Sequence, residues 1–213
     1  MKAAIGRLKS LHSICCIGAL LAGSLTLVAA GPRTFAVDTG QSKGLIDVGK
    51  AGAFSFAGHT HEVEAPLTSG VVHFDPDNVS KSDLRLQFNA AEMKVTGKGD
   101  PPADVPKVTE AMLGEQVLDV KRYPSITFES TAVSGRGSAS ALDLQITGNL
   151  TIRGTTKPVR AATTAKIDGN TLTATGRFTI KQTDFGIKPI SVGGVVKVKD
   201  ELGITFTIVA RER

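Results

Sequence analysis

Histidine is the residue in this chain with the most chemistry to offer. His59 and His61 are two residues apart, the spacing that puts both imidazoles on one face of a strand. If Glu64 to Ser69 forms a hairpin loop, His73 returns beside them on the neighbouring strand. Three imidazoles so gathered would suit zinc, copper or haem. The same residues also read as a polar strand end with solvated or backbone-bonded histidines, or as polar contacts to a ligand. The sequence leaves all three readings open.

The other chemical candidates fall away one by one. Gly44-Leu45-Ile46-Asp47-Val48-Gly49-Lys50-Ala51 nearly matches a phosphate loop. However, Ala51 replaces the hydroxyl that would hold magnesium, and Ala53 to Ala57 reads as strand rather than the helix whose N-terminus cradles the anion. Asp184-Phe185-Gly186 echoes a kinase triplet with no other kinase element around it. No nucleophile elbow frames a serine. The expectation is therefore a chain without catalytic residues and without a cofactor.

Both cysteines, Cys15 and Cys16, lie in a stretch that reads as a secretory leader. Lys2, Arg7 and Lys9 make its positive start, Ile14 to Val28 its uncharged apolar centre, and Val28-Ala29-Ala30 its small-residue cleavage site. The expected mature chain begins at Gly31 and is periplasmic or secreted. It has no disulfide, no thiolate and no stable membrane span after processing. Removing the three basic residues of positions 1–30 leaves 22 basic against 20 acidic, a net charge of +2 rather than +5. Bulk charge then gives no reason to expect nucleic-acid binding. The remaining 183 residues suffice for one domain with a core that needs no staples.

The elements that must position any site are strands. From Leu142 to Arg153 the even positions are apolar or Gly and the odd positions polar. The same alternation runs through Leu84–Phe88, Ile126–Glu129, Leu172–Ile180 and Leu202–Ile208, with shorter matches at 33–38, 43–48, 52–63, 70–75 and 158–167. One wet face per strand marks antiparallel sheet, and many long one-faced strands hide their edges well by closing into a barrel. Asp75-Pro76-Asp77-Asn78, Ser134-Gly135-Arg136-Gly137 and Asp168-Gly169-Asn170 read as turns. One stretch breaks the rhythm. After Asp100-Pro101-Pro102, Asp104 can cap a helix with Pro106 in its first turn and Gly114 at its end, and Val105, Val108, Met112 and Leu113 fall at helical spacing. A second short helix is expected at Glu115 to Arg122.

Four segments, in their order and spacing, resemble the YceI-like family of lipid- or polyisoprenoid-binding proteins. They are Phe74-Asp75-Pro76, the run Val120 to Thr131 with its Tyr123-Pro124, the run Thr147 to Val159, and Asp184-Phe185-Gly186-Ile187. The resemblance runs from about Arg33 to Ala210. It implies an all-β, extended antiparallel lipocalin-like barrel over 31–213, with a short helical segment near 103–118. It also implies a long-chain isoprenoid or similar lipid held inside, often in the bacterial periplasm. The chain departs from the family where many members carry an Arg-Asp-x-His-type stretch. Here that place holds the Pro-rich 101–106 and Glu110 to Gly114.

Physical reasoning is compatible with that implication. Burial of each methylene contributes roughly 0.8 kcal/mol, so a long tail can bind with few polar contacts and no sequence motif. The expected lining is Leu86, Phe88, Ile126, Phe128, Leu144, Ile146, Ala174, Phe178, Ile204 and Phe206. The small inward residues Ala174, Gly176 and Gly148 suggest open space among them, although the two glycines equally suit sharp bending of their strands. The leading expectation is a binding or carrier protein, with 103–118 gating access. A metal or haem protein using the three histidines, or an enzyme acting on a barrel-bound lipid, are the alternatives.

Overall fold

The structure is a computed structural model that describes residues 31–51, 60–192 and 196–213. Its strands are β1 (Arg33–Val37), β2 (Lys43–Ala51), β3 (His61–Ala65), β4 (Leu67–Phe74), β5 (Asp83–Asn89), β6 (Lys94–Val95), β7 (Ser125–Ser138), β8 (Ala141–Ile152), β9 (Thr155–Asp168), β10 (Thr171–Lys181), β11 (Ser191–Val192) and β12 (Val196–Glu212). The single α-helix among the described residues is α1 (Val105–Leu113).

The strands pair in the order β1-β4-β5-β7-β8-β9-β10-β12, and β12 pairs back onto β1. All these pairings are antiparallel, so the wall is a closed eight-strand barrel. Closure removes the exposed edges that one-faced strands would otherwise present. The seam is fixed by side chains as well as by backbone. Arg33 donates through Nε to Glu212 Oε1 at 2.9 Å and through its terminal nitrogen to the Gly169 carbonyl at 2.7 Å.

β12 is long enough to serve two neighbours along one edge. Residues 210–212 pair with β1, and Lys197 to Thr207 pair with β2. Ser42, between β1 and β2, bridges the break: its hydroxyl donates to the Val209 carbonyl and accepts from the Val209 amide. β3 then pairs with β2, and β6 with β3.

β3 and β4 are one course of chain interrupted only at Pro66, not the two arms of a hairpin. The proline carries no N–H to continue a ladder, so β3 pairs with β2 while β4 pairs with β1 and β5. The expected hairpin at 64–69 is therefore absent. Two further expectations change. Ser134 to Gly137 lie inside β7 rather than in a turn. Residues 115–122 form successive turns rather than a second helix. The Asp168-Gly169-Asn170 hairpin stands as read, with Gly169 at φ 55°.

The apolar rows form two separate plugs. The lower one gathers Phe35, Phe74, Leu142, Ala165, Ile167, Leu172 and Ala210 near the β7–β8 and β9–β10 hairpins. Above it, at the end where β8 turns into β9, stand Val63, Ala65, Met93, Val95, Leu118, Leu150, Ile152, Ile180, Phe185 and Ile187. α1 lies across this end. Its Val105, Val108, Met112 and Leu113 pack on the upper cluster, yet none of its residues is fully buried. Asp104 precedes it without a side-chain cap bond, and Gly114 ends it.

Candidate functional site

Between the two plugs the barrel is hollow. The interior space is about 760 Å³, within the span of roughly 300–1,000 Å³ usual for small-molecule sites. Its wall is built by the alternation itself, since every second residue of each strand points inward. Leu86, Phe88, Ile126, Phe128, Leu144, Ile146, Ala174, Phe178, Ile204 and Phe206 all face this lumen. Of these ten only Ile146 is fully buried; the others keep part of their surface open.

Two of the small inward residues do not leave open room. At Gly148 a Cβ would collide with the Phe128 ring and lie 2.6 Å from the Glu129 carbonyl oxygen. At Gly176 it would collide with the Phe206 ring and lie 2.6 Å from the Ala162 carbonyl oxygen. The reading of these glycines as open space is thus corrected. Each is the bed on which an aromatic ring lies against the wall. Ala174, opposite Ile208 and Ala165, does line the cavity.

Polar groups in the lining are few and concentrated at the upper mouth. His61, Asp100, Asp104, Lys107, Lys50, Lys197 and Gln182 stand there. His61 Nδ1 lies 2.7 Å from Asp100 Oδ1. The Asp100 side chain is 0% exposed, and its second oxygen, Oδ2, has no hydrogen-bond partner. Two glycines with positive φ, Gly97 at 81° and Gly99 at 83°, bend the chain so that Asp100 reaches back to β3. Deeper, beside Leu144 and Gly176 in register, the buried Thr163 hydroxyl is likewise without a partner.

The histidines are not brought together. His61 begins β3 at the mouth, whereas His73, one residue before the end of β4, lies on the outer surface near the lower end and bonds Asp83 at 3.1 Å. The eleven residues between them run as one nearly continuous course. His59 lies outside the described residues. Among the described residues no cluster of His, Cys, Asp and Glu is arranged to hold a metal ion. The near phosphate loop at 44–51 lies within strand β2, and Ala53 to Ala57, read as strand, lie outside the described residues.

The segments singled out by resemblance meet at the two ends. Tyr123 packs on Gly154 of the β8–β9 turn, where a Cβ would come within 2.8 Å of the ring. Arg153 and Gly154 both have positive φ, 50° and 72°, the geometry of a tight two-residue hairpin. Asp119 and Arg122 are joined at 2.6 Å below Tyr123, and Arg153 donates to the Glu115 carbonyl. Phe185 fills the upper plug, and Gly186 at φ 71° turns the chain after it. Next to it the Thr183 amide and hydroxyl hold the Asp200 carboxyl below its ordinary range. Phe74 fills the lower plug, and Asp75 accepts from the amides of Asp77 and Asn78.

A closed antiparallel barrel around an apolar lumen, with a helix across one end, defines a lipocalin-like architecture. The YceI-like domain family matches residues 35–210, and the chain belongs to it. Among curated relatives, a UPF0312 protein of Pseudomonas putida (strain W619) is 40% identical over 77 residues, covering 33% of this chain and 38% of the relative. A UPF0312 protein of Shewanella oneidensis is 37% identical over 81 residues, covering 35% of this chain and 41% of the relative. These matches span about two fifths of the relatives' length. Among solved structures, BcnA of Burkholderia cenocepacia superposes with a TM-score of 0.58 at 23% identity, covering 81% of this chain and 98% of that one. A Campylobacter jejuni YceI protein gives 0.50 at 18%, covering 68% and 80%. Both share the fold.

Proposed function

We propose that this protein binds and carries a long apolar chain, an isoprenoid or similar lipid, in the lumen of its barrel. It acts in the periplasm or outside the cell after removal of residues 1–30. The observation that carries this reading is the hollow of about 760 Å³ walled almost wholly by apolar side chains. A protein with no use for that space would fill it, since an empty apolar cavity forfeits packing. The ten inward residues named above would contact the chain, and release of apolar surface from water supplies the driving force. α1 is suited to gate access: it covers the mouth through half-buried contacts alone, which places it among the elements that open most easily. The reading assigns no catalytic step.

Solvent extraction of protein purified from its native host, followed by mass spectrometry, tests it. A stoichiometric isoprenoid or other long-chain lipid is the expected result. Protein that carries no apolar chain, and takes none up after delipidation, would sink the reading.

A further inference from the structure

The upper mouth holds a group that the burial of an apolar tail does not use. Asp100 is wholly enclosed, lines the lumen, and engages only one of its two carboxylate oxygens, on His61. An enclosed acceptor without a donor is costly, and the cost is greater for a charged group. Gly97 and Gly99 take up left-handed backbone conformations that bring Asp100 there. The arrangement is a fixed acceptor, steered by an imidazole, waiting at the end of an apolar channel.

We infer that Asp100, held by His61, selects a lipid whose head carries a hydroxyl donor, with that O–H bonding Asp100 Oδ2 while the tail lies in the lumen. This rests on the lumen holding an apolar chain. His61 has the role of a positioning residue, fixing the carboxylate through Oδ1. A head that only accepts hydrogen bonds leaves Oδ2 unpaired. A phosphate head brings negative charge against the carboxylate, although Lys50, Lys107 and Lys197 stand on the same mouth. The rival pull of those lysines makes the phosphate a necessary arm of the test.

Three probes with one tail separate the possibilities: geranylgeraniol, its methyl ether and geranylgeranyl monophosphate, each titrated into delipidated full-length mature protein by calorimetry. The alcohol is expected to bind about tenfold tighter than the ether, the scale of one hydrogen bond to a charged group, and tighter than the phosphate. In Asp100→Ala the alcohol's advantage over the ether should vanish while the ether binds as before. Equal binding of alcohol and ether by the wild type overturns the head-group assignment and leaves the apolar-chain reading standing. So does tighter binding of the phosphate, or an advantage that survives in Asp100→Ala. Binding of none of the three overturns both. The wild-type comparison needs no variant, so a folding defect in Asp100→Ala leaves the test intact.

Discussion

The ring of Phe206 lies on the bare backbone of Gly176, its partner across the β10–β12 pair. Phe178, one inward step along β10, meets the same ring with centroids 6.4 Å apart. A large side chain is thereby pressed flat against the wall instead of projecting across the barrel. Phe128 is bedded on Gly148 in the same way. Bulk and openness coexist because glycine gives the rings somewhere to lie.

Gly176→Ala should therefore destabilise the protein by about 1–3 kcal/mol, the usual cost of overpacking. For a domain of this size that lowers the melting temperature by about 2–4 °C per kcal/mol. Gly40→Ala, at a site where the nearest atom is 3.6 Å away, should melt near wild type. Thermal melts of the two variants check the pair. Equal melting would show that the ring does not need its bed.

Ala174→Phe probes the lumen directly. Ala174 faces the cavity, so a ring there can enter the volume proposed for the lipid. Delipidated Ala174→Phe protein should melt near wild type and fail to take up lipid. Comparing delipidated samples keeps lost ligand stabilisation from being read as lost packing. A large fall in melting temperature with lipid uptake retained would make Ala174 an ordinary packing residue.

The barrel seam predicts a pH dependence. The hydrogen bond from Arg33 holds the Glu212 carboxyl below its ordinary value of 4.5. A carboxyl so lowered takes up protons more readily unfolded than folded. Its stabilisation is complete above that ordinary value and is lost as the pH falls through the lowered one. The gap in stability between wild type and Glu212→Gln should be widest above about pH 5 and close on acidification, as urea melts across pH 3–7 would show. A gap independent of pH would mean that the charge on Glu212 contributes nothing to the seam.

Processing can be read from one mass. The charged start, apolar centre and small-residue end of positions 1–30 predict cleavage before Gly31. Intact-mass analysis of exported protein should give that N-terminus. A mature form that keeps Cys15 would contradict the leader reading.

Strand identity was legible wherever alternation ran unbroken, as in β8, whose even residues from Leu142 to Ile152 all turn inward. Shifts of phase were not. β7 carries a bulge between Ser130 and Ala132, so its inward row passes from Ile126 and Phe128 to Val133. No local residue pattern announces that change. Pro66 looked like part of a loop because proline more often ends a strand than joins two courses of one. The Asp100–His61 contact was hidden by the separation of its partners, 39 positions along the chain. Its only local sign was Gly97-Lys98-Gly99 ahead of Asp100, which offered a tight turn but no direction. Inward residues can be named from parity; which of them surround a void, and which fill a plug, depends on how rings and glycines meet across strands.

The Arg33–Glu212 seam also constrains how the molecule can come into being. Its partners stand 179 residues apart, so the ring cannot close until nearly the whole domain has been made. Until then β1 and the C-terminal end of β12 each offer an unpaired margin able to recruit a foreign strand. Pairing across so long a separation is slow in comparison with the neighbouring hairpins β7–β8, β8–β9 and β9–β10. The nascent chain therefore passes through an open, sticky ribbon before it becomes a tube. Its vulnerability to aggregation lies in that interval of assembly, and not in the finished barrel, whose seam leaves no margin to catch on.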